Sequence, residues 1–273
     1  MEKKNVSNIA GLRLYAAAVG IMGRVNGVKI TDYIIDVSDK ILRYESLRTI
    51  LEIKERVREM QKKFEFTGEV KKDVFGREFK RIRALVKLEF ACYTVEIGEL
   101  GGWLEKETNL SHEGNAWISG NALVYGDARV SGNALVYGDA EVYGDARVYG
   151  DAWISGNAEV YGDAEVYGDA RVYGDAWISG NAEVYGDAEV YGDARVSKIE
   201  HILVIGPIGS RHGYTTFFKS RDGVIKVKCG CFHGTIDEFI TKVEQTHGSN
   251  KHAVVYKAAV YVAMAQIETD NDC

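Results

Sequence analysis

From Gly114 to Gly192 a glycine falls at every sixth residue, fourteen times without a gap. Each copy reads Gly-(Asn/Asp)-Ala-x-(Val/Ile)-(Tyr/Ser). Six residues cannot bury an apolar face alone, so an uninterrupted period of six predicts copies stacked into a solenoid with a shared core. Within a copy, Ala-x-Val makes a short strand whose alternation sends Ala and Val to one side and x to the other. Glycine followed by Asn or Asp supplies the corner, because these residues tolerate left-handed backbone angles. The x column runs from Trp117 to Arg195 and mixes Trp, Leu, Glu and Arg. That mixture reads as the wet outside, and the invariant Ala and Val/Ile columns as the core.

An aliphatic residue followed four positions later by a small one, as in Val142 and Ala146, resembles the hexapeptide signature of left-handed parallel β-helices. The resemblance implies three hexads per triangular coil of 18 residues, hence about five coils, and a left hand. It also implies self-association as a homo-oligomer, trimers being common in that family. The chain departs from the family pattern in placing Tyr or Ser, not Gly, directly after the aliphatic residue. A coil of 18 stacks like residues into ladders. Tyr125, Tyr143 and Tyr161 make one, Tyr149, Tyr167 and Tyr185 another, and Asp127, Asp145 and Asp163 a carboxylate row.

Charge is segregated. The chain carries 34 basic and 40 acidic residues, net −6, while residues 114–197 hold nine Asp, five Glu and four Arg, net −10. An acidic rod between basic ends has no overall nucleic-acid footprint, so direct nucleic-acid binding is not expected. Regular carboxylate rows can hold Ca²⁺ or imitate nucleic acid toward a protein that binds it. Tyr rows suit sugars or flat protein surfaces. The plain alternative is solubility, with Tyr covering backbone at the corners.

Residues 1–110 read as an α+β cap domain, residues 111–197 as the β-helix and residues 198–273 as a small α+β domain. In the first, 38–66 has the three-to-four spacing of an amphipathic helix (Leu47, Ile50, Ile53, Val57, Met60, Phe64). The stretch 69–96 is basic and strand-like. Around the junction, Arg81-Ile-Arg, Gly98-Glu-Leu-Gly-Gly-Trp-Leu and Asn109-Leu-Ser-His resemble the entry cap of hexapeptide-repeat proteins of bacteria and bacteriophages. A cap is needed because the first coil exposes a strand edge and an open core; Trp103 and Leu104 are the expected plug. In the C-terminal domain, 201–205, 215–219 and 224–229 read as strands and 236–246 and 253–266 as helices, with Thr235 as an N-cap and Gly248 after the first helix. This block resembles a module at the end of similar phage-type proteins.

Acyl transfer, the chemistry of many hexapeptide β-helix enzymes, needs a histidine base beside a loop thrown out of a coil. Between His112 and His201 there is no histidine and no interruption, so an acyltransferase is only a runner-up, with His112 as its base. Cys229, Cys231 and His233 have metal-like spacing, with His212 or His247 as a fourth ligand; the alternative is small residues on a strand. Ser210, Arg211, His212, Thr215 and Thr216 follow an apolar strand and can hold a small anion or nucleotide, although no phosphate-loop pattern is present. No cofactor is implied. Four scattered Cys favour a reducing cytoplasm, that of the host cell if the chain is phage-encoded. No apolar run is long enough to span a membrane, and residues 15–22 lack a cleavage site. The combined expectation is a mainly β, non-enzymatic binding scaffold whose Asp and Tyr ladders engage and inhibit a host defence protein. The alternative is a small-ligand protein acting through its C-terminal domain.

Overall fold

The structure, a computed structural model, describes residues 24–25, 28–29, 62–91 and 93–267. The chain divides into two compact units, 1–62 and 63–273. In the first, β1 (Arg24–Val25) pairs antiparallel with β2 (Val28–Lys29). The helix expected over 38–66 lies outside the described residues as far as 61. Its last turn is corrected: Phe64 opens strand β3 (Phe64–Lys72). Phe-Glu-Phe-Thr alternates with period two, Phe64 is buried, and β4 (Glu78–Ala84) supplies the antiparallel ladder.

The second unit is built on the hexads. Fourteen two-residue strands, β8 (Trp117–Ile118) to β21 (Arg195–Val196), recur every six residues. Strands 18 residues apart pair in parallel throughout, as Trp117 with Leu135 and Leu135 with Trp153. Three parallel sheets result, so the solenoid has about five coils. Every repeat Ala and Val or Ile from Ala116 to Val196 is fully buried, which satisfies the inward columns. The ladder is regular: Trp117 N–H donates to Ala134 O at 2.9 Å and Glu141 N–H to Ala158 O at 2.9 Å. The repeat glycines sit at φ between +58° and +79°, where a side chain is strained.

Three different devices close the first coil, one on each sheet. Strand β7 (Leu100–Leu104) continues one of them, with Trp103 N–H and Glu105 N–H donating to Ala122 O and Val124 O. On the second, the Asn109 amide donates to Gly126 O and Ala128 O at 3.1 and 2.8 Å. On the third, the Lys63 Nζ donates to Ala116 O at 2.7 Å and Gly114 O at 3.4 Å. Leu104 is the plug, fully buried. Trp103 is not: it alternates outward and lies beneath Lys71 and Arg81. A hairpin of β5 (Leu88–Glu89) and β6 (Thr94–Val95) shares the core of Trp117 and Leu135. Trp117 and Leu135, two members of the x column that reads as the wet outside, are buried; a Cβ on Gly101 of β7 would fall 2.7 Å from the Trp117 ring.

Beyond the solenoid, β22 (Ile202–Ile208), β23 (Gly213–Lys219), β24 (Ile225–Cys229) and β25 (Phe232–Thr235) form an antiparallel meander. Helices α1 (Ile236–His247) and α2 (Lys251–Gln266) follow. Thr235 and Glu238 close a reciprocal capping box on α1, and Gly248 ends it. This sheet separates two cores. Phe218 and Ile202 plug the last coil, while the adjacent Phe217 packs among the helices. Among the described residues, no helix is long and apolar enough to cross a membrane.

Candidate binding sites

The expected ladders form. Tyr125, Tyr143 and Tyr161 stack face to face at 4.8 and 4.9 Å, and Tyr149 on Tyr167 at 4.9 Å. Tyr185 continues the second column at 5.8 Å. Their role differs from an open aromatic platform. Where the next coil offers a glutamate the hydroxyl donates to it, Tyr125 to Glu141, Tyr143 to Glu159 and Tyr149 to Glu165 at 2.9 Å and Tyr167 to Glu183 at 3.2 Å, whereas Tyr161 meets Trp177 edge to face. Tyr125 is buried under Phe79 and Arg77. The hydroxyls thus brace successive coils and neutralise part of the repulsion between stacked carboxylates.

The Asp row is different. Asp127, Asp145 and Asp163 are exposed at one corner. Lys106 pairs with Asp127 at 3.0 Å, and among the described residues no cation pairs with Asp145 or Asp163. On the other corners, Asn121 donates to Asp139, Asn133 to Asp151 and Asn157 to Asp175. The net charge of −10 over about 22 Å of rod is one charge per roughly 2 Å, close to the ~1.7 Å of double-stranded DNA.

His112 is held on all sides. Its ring stacks on Phe64 at 4.4 Å, Nδ1 accepts the Lys63 N–H at 3.1 Å, and Nε2 meets Glu107 at 3.0 Å. Both ring nitrogens are engaged by the cap.

The C-terminal candidates do not stay together as two sets. Thr215 and Thr216 are buried and structural. Thr215 Oγ1 donates to Cys229 Sγ at 3.2 Å, and Thr216 Oγ1 accepts the Glu189 N–H of the last coil at 3.1 Å. Register also splits the metal-like set. Cys229 pairs with Phe232 and Lys228 with His233, and cross-strand partners share a face. Lys228 reaches Glu189 and His233 meets Tyr191, so His233 faces the solenoid while Cys229 faces the helices. Among the described residues, no group of three or more His, Cys, Asp or Glu is placed to hold a metal ion.

What the fold does gather is a cavity of about 280 Å³ between the β22–β23 turn, the β24–β25 turn and the two helices. It takes Ser210 and Arg211 from one expected set and Cys229, Cys231 and the alternative fourth ligand His247 from the other, and leaves out His212, Thr215, Thr216 and His233. Lys242 and Tyr256 also line it, and nothing in the sequence singles them out. Burial, with Cys229 beside it, pushes the Tyr256 phenol up to about 12.

Two pH dependences of opposite sign are built in. Burial lowers the Lys63 amine from 10.5 to about 7, so between those values the unfolded chain holds a proton that the folded one lacks. Stability rises with pH across that window, by on the order of 1 kcal/mol per pH unit at its steepest. Burial and Glu165 raise the Tyr149 phenol from 10.0 to about 12, so its contribution is complete below pH 10 and lost as pH climbs to 12. Urea unfolding from pH 6 to 11 is expected to show greatest stability near pH 10, and Lys63→Met should flatten the rising limb. An unchanged limb in that variant would assign the dependence elsewhere.

The fold defines a parallel β-solenoid protein, closed at both ends and extended by a small α+β module. A family model described as the YdcK beta solenoid repeat matches residues 116–131, 128–142, 140–156 and 164–180, all inside the solenoid. No curated protein matches the chain.

Proposed function

We propose that the chain is a non-catalytic binding scaffold whose acidic corner docks a basic protein surface. The observation that carries this reading is the exposed row Asp127, Asp145 and Asp163, paired among the described residues only at its Lys106 end, on a rod with nearly the charge density of duplex DNA. A rigid solenoid fixes the carboxylates about one strand spacing apart, so a partner loses no entropy in ordering them. The partner class that fits is a nucleic-acid-binding protein. With the phage-type resemblance of the junction, that partner is a host defence protein held off its own substrate.

The tagged full-length chain serves as bait in a nuclease-treated host lysate, at low and at high salt. The expected result is one dominant protein, lost at high salt and displaced by added duplex DNA. Capture that ignores both salt and DNA overturns the electrostatic reading.

A further inference from the structure

We propose that the C-terminal cavity binds a small organic anion with a flat aromatic body. Its floor is aromatic: Phe232 and Phe239 lie 5.2 Å apart, and Phe239 and Tyr256 meet edge to face at 5.6 Å. Its charge is of one sign. Arg211 enters from the β22–β23 turn and Lys242 from α1, and among the described residues no Asp or Glu lines the space, although the chain as a whole is net −6. Among the described residues neither cation forms an ion pair. Two unpaired cations above a ring-lined floor match a ligand with an anionic group at one end and an aromatic plane at the other.

The size sets the scale of the ligand. About 280 Å³ lies at the lower end of small-molecule sites, enough for a nucleoside monophosphate or an aryl sulfonate and too little for a dinucleotide. The walls are fitted to one another before any ligand arrives. A Cβ on Gly209 would fall 1.8 Å from the Tyr256 hydroxyl, so the Arg211 turn and α2 are in register through that contact. Such preorganisation leaves little ordering cost on binding. Cys231 is exposed on the same wall and reports occupancy.

The probe is 1-anilinonaphthalene-8-sulfonate, titrated into the full chain and read by fluorescence. N-phenyl-1-naphthylamine, the same body without the sulfonate, serves as the uncharged control. Alkylation of Cys231 by iodoacetamide is followed in parallel by mass spectrometry of its peptide. Saturable one-to-one binding is expected, weakened about tenfold or more in the Arg211→Ala/Lys242→Ala double variant and by a similar factor for the uncharged control. Saturating probe should slow Cys231 alkylation about fivefold or more in the wild-type chain, by occlusion of the cavity. Absence of saturable binding overturns the proposal. So does full affinity in the double variant, or Cys231 alkylation that is unchanged at saturation, which would place the probe on another apolar surface.

Discussion

Alanine at Gly150 is expected to cost about 3 kcal/mol or more, and alanine at Gly192 only about 1 kcal/mol. Both glycines hold the same left-handed backbone, at φ +72° and +66°. They differ in what a Cβ would meet. At Gly150 it falls 2.8 Å from Gly168 N and 3.1 Å from Gly168 O, backbone atoms that move only if the coils separate. At Gly192, on the last coil, nothing lies within 4 Å. The difference between the two losses measures how tightly successive corners stack, free of the conformational penalty they share. Equilibrium denaturation of the two variants gives it directly. Equal losses would mean that the corners do not bear on one another as the register requires.

Phe218→Ala should be nearly as damaging, at about 3–5 kcal/mol. Phe218 is fully buried in the solenoid core, with Tyr191 edge-on at 5.2 Å, and it closes the end where no further coil follows. Its loss leaves a cavity and weakens the docking of β23, which carries Thr216 to the Glu189 N–H. An uncovered strand edge invites pairing with another chain. The variant should therefore show a lowered midpoint and also concentration-dependent association by light scattering. Thr216→Val removes the acceptor and keeps the plug, and should cost about 1–2 kcal/mol without association. If Phe218→Ala matches Thr216→Val in both readouts, Phe218 is not the plug.

The solenoid was legible because its signal is repeated. One period fixes corners, core columns and ladders, and the Tyr stacks form where an 18-residue coil puts them. The C-terminal elements were legible for a local reason: Thr235 with Glu238 marks one helix start, and Gly248 its end. The caps depend on contacts far apart in the chain. Lys63 serves a carbonyl 53 residues away and Asn109 one 19 residues away, and neither residue type announces that use. The x column reads as the wet outside, yet Trp117 and Leu135 are buried, with the β7 backbone at Gly101 against the Trp117 ring. Nothing in the hexads says that the chain before them lies against one sheet.

The C-terminal candidates were misgrouped by a related difficulty. Thr215 and Thr216 point to opposite faces of β23 and are both buried, because the solenoid end covers one face and the helices the other. Alternation alone says that neighbours part company; it does not say that both sides are covered. The same sheet puts Cys229 and His233 on different sides. The cavity then draws Lys242 and Tyr256 from helices whose rotation about the sheet is set by packing.

In the proposed function, one corner of the rod is the docking surface. The direct measurement is the dissociation constant of the captured partner for three proteins in low salt: the wild type, Asp127→Asn/Asp145→Asn/Asp163→Asn, and the control Asp139→Asn/Asp151→Asn/Asp175→Asn. Both triples remove the same charge from exposed corners, so a bulk electrostatic effect weakens them equally. Docking at the named corner predicts about a tenfold or greater loss in the first and less than about threefold in the second, with folding of both unchanged. Equal affinities across all three, or equal losses in the two triples, would contradict it.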